Sequence, residues 1–95
     1  MEKLGAFSLV LECVPAALAA EISGALAIPT IGIGAGAATD GQVLVLADLL
    51  GFDASFRPRF ARRYVEGHEL VLGAVNAFVR DVRAARFPAR EEVLA

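Results

Sequence analysis

One of the chain's eleven acidic residues is placed unlike the rest. Glu12 lies near the end of AFSLVLECV, residues 6–14, the most continuously apolar stretch among 95 residues. An unpaired carboxylate is costly to bury. At that position it must lie at an accessible strand end, be paired, or be protonated. Active sites of α/β folds gather at the C-terminal ends of strands, and a carboxylate there is placed for general acid or base work. A solvated or salt-bridged strand-end residue explains the same spacing, and the residues alone leave the two readings level.

A second candidate is IGIGAGA, residues 31–37, where Gly32, Gly34 and Ala37 fit the loose G-x-G-x-x-G/A dinucleotide fingerprint. That fingerprint must open a long helix whose N-terminus holds a pyrophosphate. Here Asp40-Gly41 falls where such a helix should be propagating, and Asp53, in a loop-like segment, makes a poor ribose contact. Close packing of a strand against a substrate or a neighbouring strand accounts better for these glycines. Cys13 and His68 are each the only residue of their type. They make no internal disulfide and no structural zinc site. Cys13 is expected as a small buried residue and His68 on a helix surface.

The elements that must position Glu12 follow from apolar spacing. Residues near 6–13 predict a strand buried on both faces of a parallel sheet. Pro15 suits the first residue of a helix, and Leu18, Ile22 and Leu26 recur every fourth position, so a helix is predicted near 15–27. A second strand is predicted near 29–34, from Thr30, Ile31 and Ile33, and a third near 42–47, from Val43, Leu44, Val45 and Leu46. Helices are predicted near 59–66 and 67–86. Leu70, Val71, Ala74, Val75, Phe78, Val79 and Val82 form a wide apolar face on the longer one, and Pro88 ends it. The order is that of an α/β fold, read as one partial domain over residues 1–95.

Composition bounds the rest. The chain is 57% hydrophobic, too apolar for the large surface of so small a domain. It reads as a membrane protein or as a piece whose partners cover it. Glu12, Pro15, Glu21, Pro29 and Asp40 interrupt every apolar run short of the roughly 18 residues of a spanning helix. Glu2 and Glu12 also spoil a secretory signal. A cytoplasmic chain is expected, with no membrane partner. The net charge of −2 hides eight arginines after residue 56. They alternate with Phe56, Phe60 and Tyr64 and are diluted by acids, which predicts a solvated or subunit-facing surface and no nucleic-acid partner. Three strands with so few helices cannot cover two faces of a parallel sheet and close its edges.

The segments LVLECVP (9–15), IPTIGIGAG (28–36) and TDGQVLVLADLLG (39–51), in this order and spacing, resemble the ketopantoate hydroxymethyltransferase family. The resemblance continues through FRPRFARRY to the FPAREE tail, and so covers essentially the whole chain. It implies the C-terminal part of a (β/α)8 TIM-type barrel of the phosphoenolpyruvate/pyruvate superfamily, supplying the last three parallel strands and the C-terminal helices. It implies transfer of a hydroxymethyl group from 5,10-methylenetetrahydrofolate to 3-methyl-2-oxobutanoate, giving ketopantoate for pantothenate synthesis, with Mg2+ holding the oxo acid and with large homo-oligomers. By its place in LVLECVP, Glu12 matches the family's catalytic acid/base. Ile33, Val43 and Val45 match positions lining the apolar end of the substrate. The family's metal-binding carboxylates and its lysine, serine and histidine substrate contacts belong to earlier strands, so this chain alone is expected to be inactive. The alternative is a non-catalytic half-barrel that associates with itself or with a longer subunit.

Overall fold

The computed structural model describes residues 1–94. Strand β1, Leu9–Glu12, runs parallel to β2, Thr30–Ile33, which runs parallel to β3, Gly41–Gln42. The sheet order follows the chain. Helix α1, Ala16–Ala25, is the crossover between β1 and β2; α2, Leu46–Leu49, and α3, Gly67–Arg83, follow the sheet. Short 3-10 turns occupy Glu2–Leu4 and Arg90–Glu92. An α/β architecture with one parallel sheet is therefore observed.

Strand alternation assigns the two faces of the sheet. Buried Leu11 packs with Ala19 and Ala35, flanked by Leu9, Val14 and Ile22, so Leu9 and Leu11 face α1. Thr30, wholly buried, faces the same way, its Oγ1 2.7 Å from Ser23 Oγ on α1. Val10 and Glu12 are on the opposite face, where nothing covers them. The helix contact differs from the predicted Leu18/Ile22/Leu26 stripe. Ala19 is buried and Leu18 is exposed, because a methyl side chain lets the helix backbone settle close to the strand.

Three other elements depart from expectation. The strand predicted over 42–47 pairs only at Gly41–Gln42, and Val43 N–H still donates to Gly32 O at 3.0 Å. Beyond it, with no fourth strand to pair, Leu46–Leu49 satisfies its backbone locally as α2. The helix predicted near 59–66 is a series of turns. There Arg63 donates to the carbonyls of Asp53 and Phe56 and pairs with Glu66 at 3.2 Å, tying the segment into a loop instead of a helical ladder. Helix α3 stops at Arg83, short of the predicted 86, where Ala85 takes φ +56° and the Arg86 N–H turns back to Asp81 O.

The loop between α2 and α3 closes on itself. Tyr64 N–H donates to Leu49 O at 2.8 Å, Gly67 N–H to Leu50 O at 2.7 Å and His68 N–H to Gly51 O at 2.9 Å. A Cβ on Gly67 would run into Leu50 O and the Phe52 ring. Past this clamp α3 stands free of the sheet, with Leu70, Val71, Val75, Phe78 and Val82 exposed. The radius of gyration is 21.8 Å, against about 12–13 Å for a compact domain of this length. No helix among the described residues is long and apolar enough to cross a membrane.

Candidate active site

The site starts from how β1 ends. Cys13 N–H donates to Ile33 O at 2.8 Å, the last bond of the β1–β2 ladder, and Cys13 itself turns the chain with φ +53°. Glu12 is thereby held as the final residue of the strand, beside Ile33 in register. The β2–β3 register pairs Gly32 with Gln42, so Val43 occupies the next place beside Ile33. Glu12, Ile33 and Val43 form one row across the C-terminal ends of three strands, on the face turned away from α1. Behind it, Val10, Ile31 and Gly41 form the next row.

The row joins one exposed acid to apolar neighbours. Glu12 is exposed and has no hydrogen bond or ion pair among the described residues, whereas Ile33 is buried. Val43 lines an open apolar hollow of about 500 Å³ with Gln42, Leu44, Leu49 and Tyr64. Val45 is not brought into the row. It is exposed at the N-cap of α2, beyond the last strand pairing. Chemically the row offers a carboxylate able to exchange a proton with a group lying over apolar side chains.

A polar pairing not foreseen from the sequence, between Thr30 and Asp40, supports the loop beside this row. Thr30 N–H donates to Asp40 Oδ2 at 2.8 Å, Thr30 Oγ1 donates to the same oxygen at 3.1 Å, and Asp40 N–H donates back to Thr30 Oγ1 at 3.3 Å. This knot fastens the glycine-rich segment to the base of β2. Its only sequence signal was the turn-forming Thr39-Asp40-Gly41, which pointed to a turn and not to a partner ten residues back. The segment opens no helix, in keeping with the weak dinucleotide match. Across from it, Arg59 and Phe60 also went unremarked as site residues; Phe60 lies against Gly34, within 3.1 Å of where a Cβ would sit.

Cys13 departs from expectation: it is exposed, at the strand-end turn. His68 is exposed in the first turn of α3, as predicted. No group of three or more His, Cys, Asp and Glu able to hold a metal ion lies among the described residues. The donors present among the described residues do not fit a magnesium ion.

A βαβ unit with three parallel strands in one sheet defines the class: part of an α/β protein, with an acidic and apolar row at its strand ends. Similarity to known proteins makes the class specific. Residues 1–90 match the family model described as ketopantoate hydroxymethyltransferase, and the chain belongs to that family. It is 54% identical over 92 residues to the 3-methyl-2-oxobutanoate hydroxymethyltransferase of Prosthecochloris aestuarii, covering 97% of this chain and 33% of that protein. The similarly named protein of Chlorobium phaeobacteroides is 53% identical over 92 residues, with 97% and 33% coverage. That of Francisella tularensis is 48% identical over 91 residues, with 96% and 34% coverage. The chain spans about a third of the length of these curated relatives.

Proposed function

We propose that the chain is the C-terminal third of a (β/α)8 barrel of the phosphoenolpyruvate/pyruvate superfamily, a single partial domain. In the complete barrel it serves transfer of a hydroxymethyl group from 5,10-methylenetetrahydrofolate to 3-methyl-2-oxobutanoate, giving ketopantoate for pantothenate synthesis in the cytoplasm. The observation that carries the reading is the row Glu12–Ile33–Val43 at the carboxyl ends of parallel strands, on the sheet face away from α1, where Glu12 and Val43 are exposed and Ile33 is buried. The missing strands would cover the open face and both sheet edges.

Glu12 is the general acid/base in this reading. The substrate's branched alkyl group, which bears the reacting carbon, lies over Ile33, Val43 and Val45, and the Glu12 carboxylate moves a proton as the one-carbon unit is captured or released. Apolar walls keep the alkyl group from rotating away and exclude water from the new bond. Val45 joins this wall only when β3 extends beyond Gln42, as pairing with another strand would make it do. The magnesium that the family resemblance implies must find its ligands outside this chain.

The test is replacement of the residue aligned with Glu12 by Gln in a full-length relative. Turnover should fall roughly 100-fold or more, in the range expected for a lost acid/base group, while the substrate dissociation constant changes little. Unchanged turnover would remove Glu12 from the chemistry. A second reading, a half-barrel without activity that associates with itself or a longer subunit, is favoured by the open sheet edges and the free apolar face of α3. Large homo-oligomers fit both readings.

A further inference from the structure

Beside the row is a hollow of about 990 Å³, open to solvent. Its lining includes Gly34, Gly36 and Ala37, together with Arg59, Phe60 and Arg62 and with Asp40 and Gln42. Its charges are uneven. Arg57 and Arg63 both pair with Glu66, and Arg86 pairs with Asp81, but Arg59 and Arg62 pair with no carboxylate among the described residues. Arg62 is steadied by Tyr64, its guanidinium 5.8 Å from the ring centroid. Asp40 is the single acid of the lining, and its Oδ2 is occupied by Thr30.

The loop facing these arginines is short of acceptors. The backbone N–H groups of Gly34, Gly36 and Ala37 donate to no protein acceptor among the described residues. Gly34 and Gly36 take φ +65° and +83°, which turns the chain sharply along the hollow. Gln42 Nε2 donates to Gly36 O at 2.8 Å and fixes that peptide. A Cβ at Gly36 would come within 2.7 Å of Ala16 Cβ, so the loop holds this shape only with glycine there.

We infer that this hollow binds an oxyanion of a small molecule, a carboxylate or a phosphate, between the Gly34–Ala37 amides and the guanidinium groups of Arg59 and Arg62. Guanidinium groups hold such oxygens in paired, charge-assisted hydrogen bonds, and two of them with the loop amides outweigh the engaged Asp40. The site holds whichever reaction the complete protein performs, because it uses none of Glu12, Ile33 or Val43.

The experiment is titration of this segment, isotopically labelled and joined into a full-length relative in place of that protein's own corresponding third so that the fold is held, with inorganic phosphate, and separately with glutarate, at low ionic strength, following backbone amides by NMR. Gly34, Gly36 and Ala37 should shift in a saturable way. R59Q and R62Q should each weaken binding roughly tenfold, the loss expected for one charge-assisted hydrogen bond, while R86Q, which removes an equal charge elsewhere, leaves it unchanged. Saturation by phosphate alone assigns a phosphate ligand, and by glutarate alone a carboxylate; either supports the site. No selective shift with either anion overturns it, as does equal weakening by R86Q.

Discussion

Asp53 shows how a single exposed carboxylate organises its surroundings. Ser55 Oγ and Ser55 N–H donate to its Oδ1 at 2.8 and 2.9 Å, and Phe56 N–H donates at 3.2 Å. These bonds, the Ser55 hydroxyl foremost, hold its pKa below the ordinary aspartate value, with help from nearby Arg63. A carboxylate lowered by folding contributes its order above the unfolded value and loses it as pH falls through the lower folded value. Amide exchange at Ser55 and Phe56 should therefore be unchanged from neutrality down to the usual aspartate range and accelerate, relative to intrinsic rates, only below it. Acceleration already near neutrality would contradict the arrangement. Glu12 differs because it has no such partners. Its place at a strand end was legible in the sequence, since a carboxylate cannot sit deep in an apolar strand. Its alignment with Ile33 and Val43 was not, because register depends on hydrogen bonds between segments about 20 residues apart.

At the scale of elements, β1 was legible from its continuous apolar run, β2 from its β-forming residues, and α1 and α3 from periodicity. β3 and the segment 59–66 were not, and for one reason: their residues suit either conformation, and the neighbour decides. Val43–Leu46 has strand composition but no fourth strand to pair with, and Arg59–Glu66 has helical spacing but an arginine whose donors are taken by two loop carbonyls. The clamp between α2 and α3 was equally hidden, because Gly67 stands at the start of the predicted 67–86 helix with nothing in its neighbours to show that two backbones touch there. Replacing Gly67 by Ala should cost about 1–3 kcal/mol, the usual range for forcing extra volume into a closed contact. The check is hydrogen exchange at Gly67-position and His68 amides, which should lose protection while the β1–β2 amides keep theirs. Equal protection in the variant would show that the clamp tolerates a side chain.

The whole molecule extends 64 × 31 × 16 Å with a buried apolar core of four residues, Leu11, Ala19, Ile33 and Ala35. Burial of that extent supplies little of what ordering a chain costs. By itself the chain should show weak, non-cooperative unfolding by circular dichroism, associate during size exclusion, and give no transferase turnover. A compact monomer with a sharp transition would contradict this. Composition had already indicated such a shape, since 57% hydrophobic residues exceed what so small a body can enclose. Which surfaces stay open, one sheet face and the apolar side of α3, emerged only once the elements were placed.

The loop that returns from Gly51 to Gly67 has a consequence for the survival of the polypeptide. It exposes Arg57, Arg59 and Arg62 on a segment without regular structure, while the arginines of α3 sit in a hydrogen-bonded helix. Proteases need an extended, accessible backbone, so such a loop is where nicking begins. The bond after Arg57 is shielded by Pro58, and the Arg63 side chain is held by Glu66 and the carbonyls of Asp53 and Phe56, leaving in this loop the bonds after Arg59 and Arg62. Brief trypsin treatment followed by mass spectrometry should first release products ending at these two residues. The cut would separate α3 from the sheet, leaving only a few backbone hydrogen bonds to hold the pieces together. A degradation route built into this connection would remove the chain wherever no larger assembly shelters it.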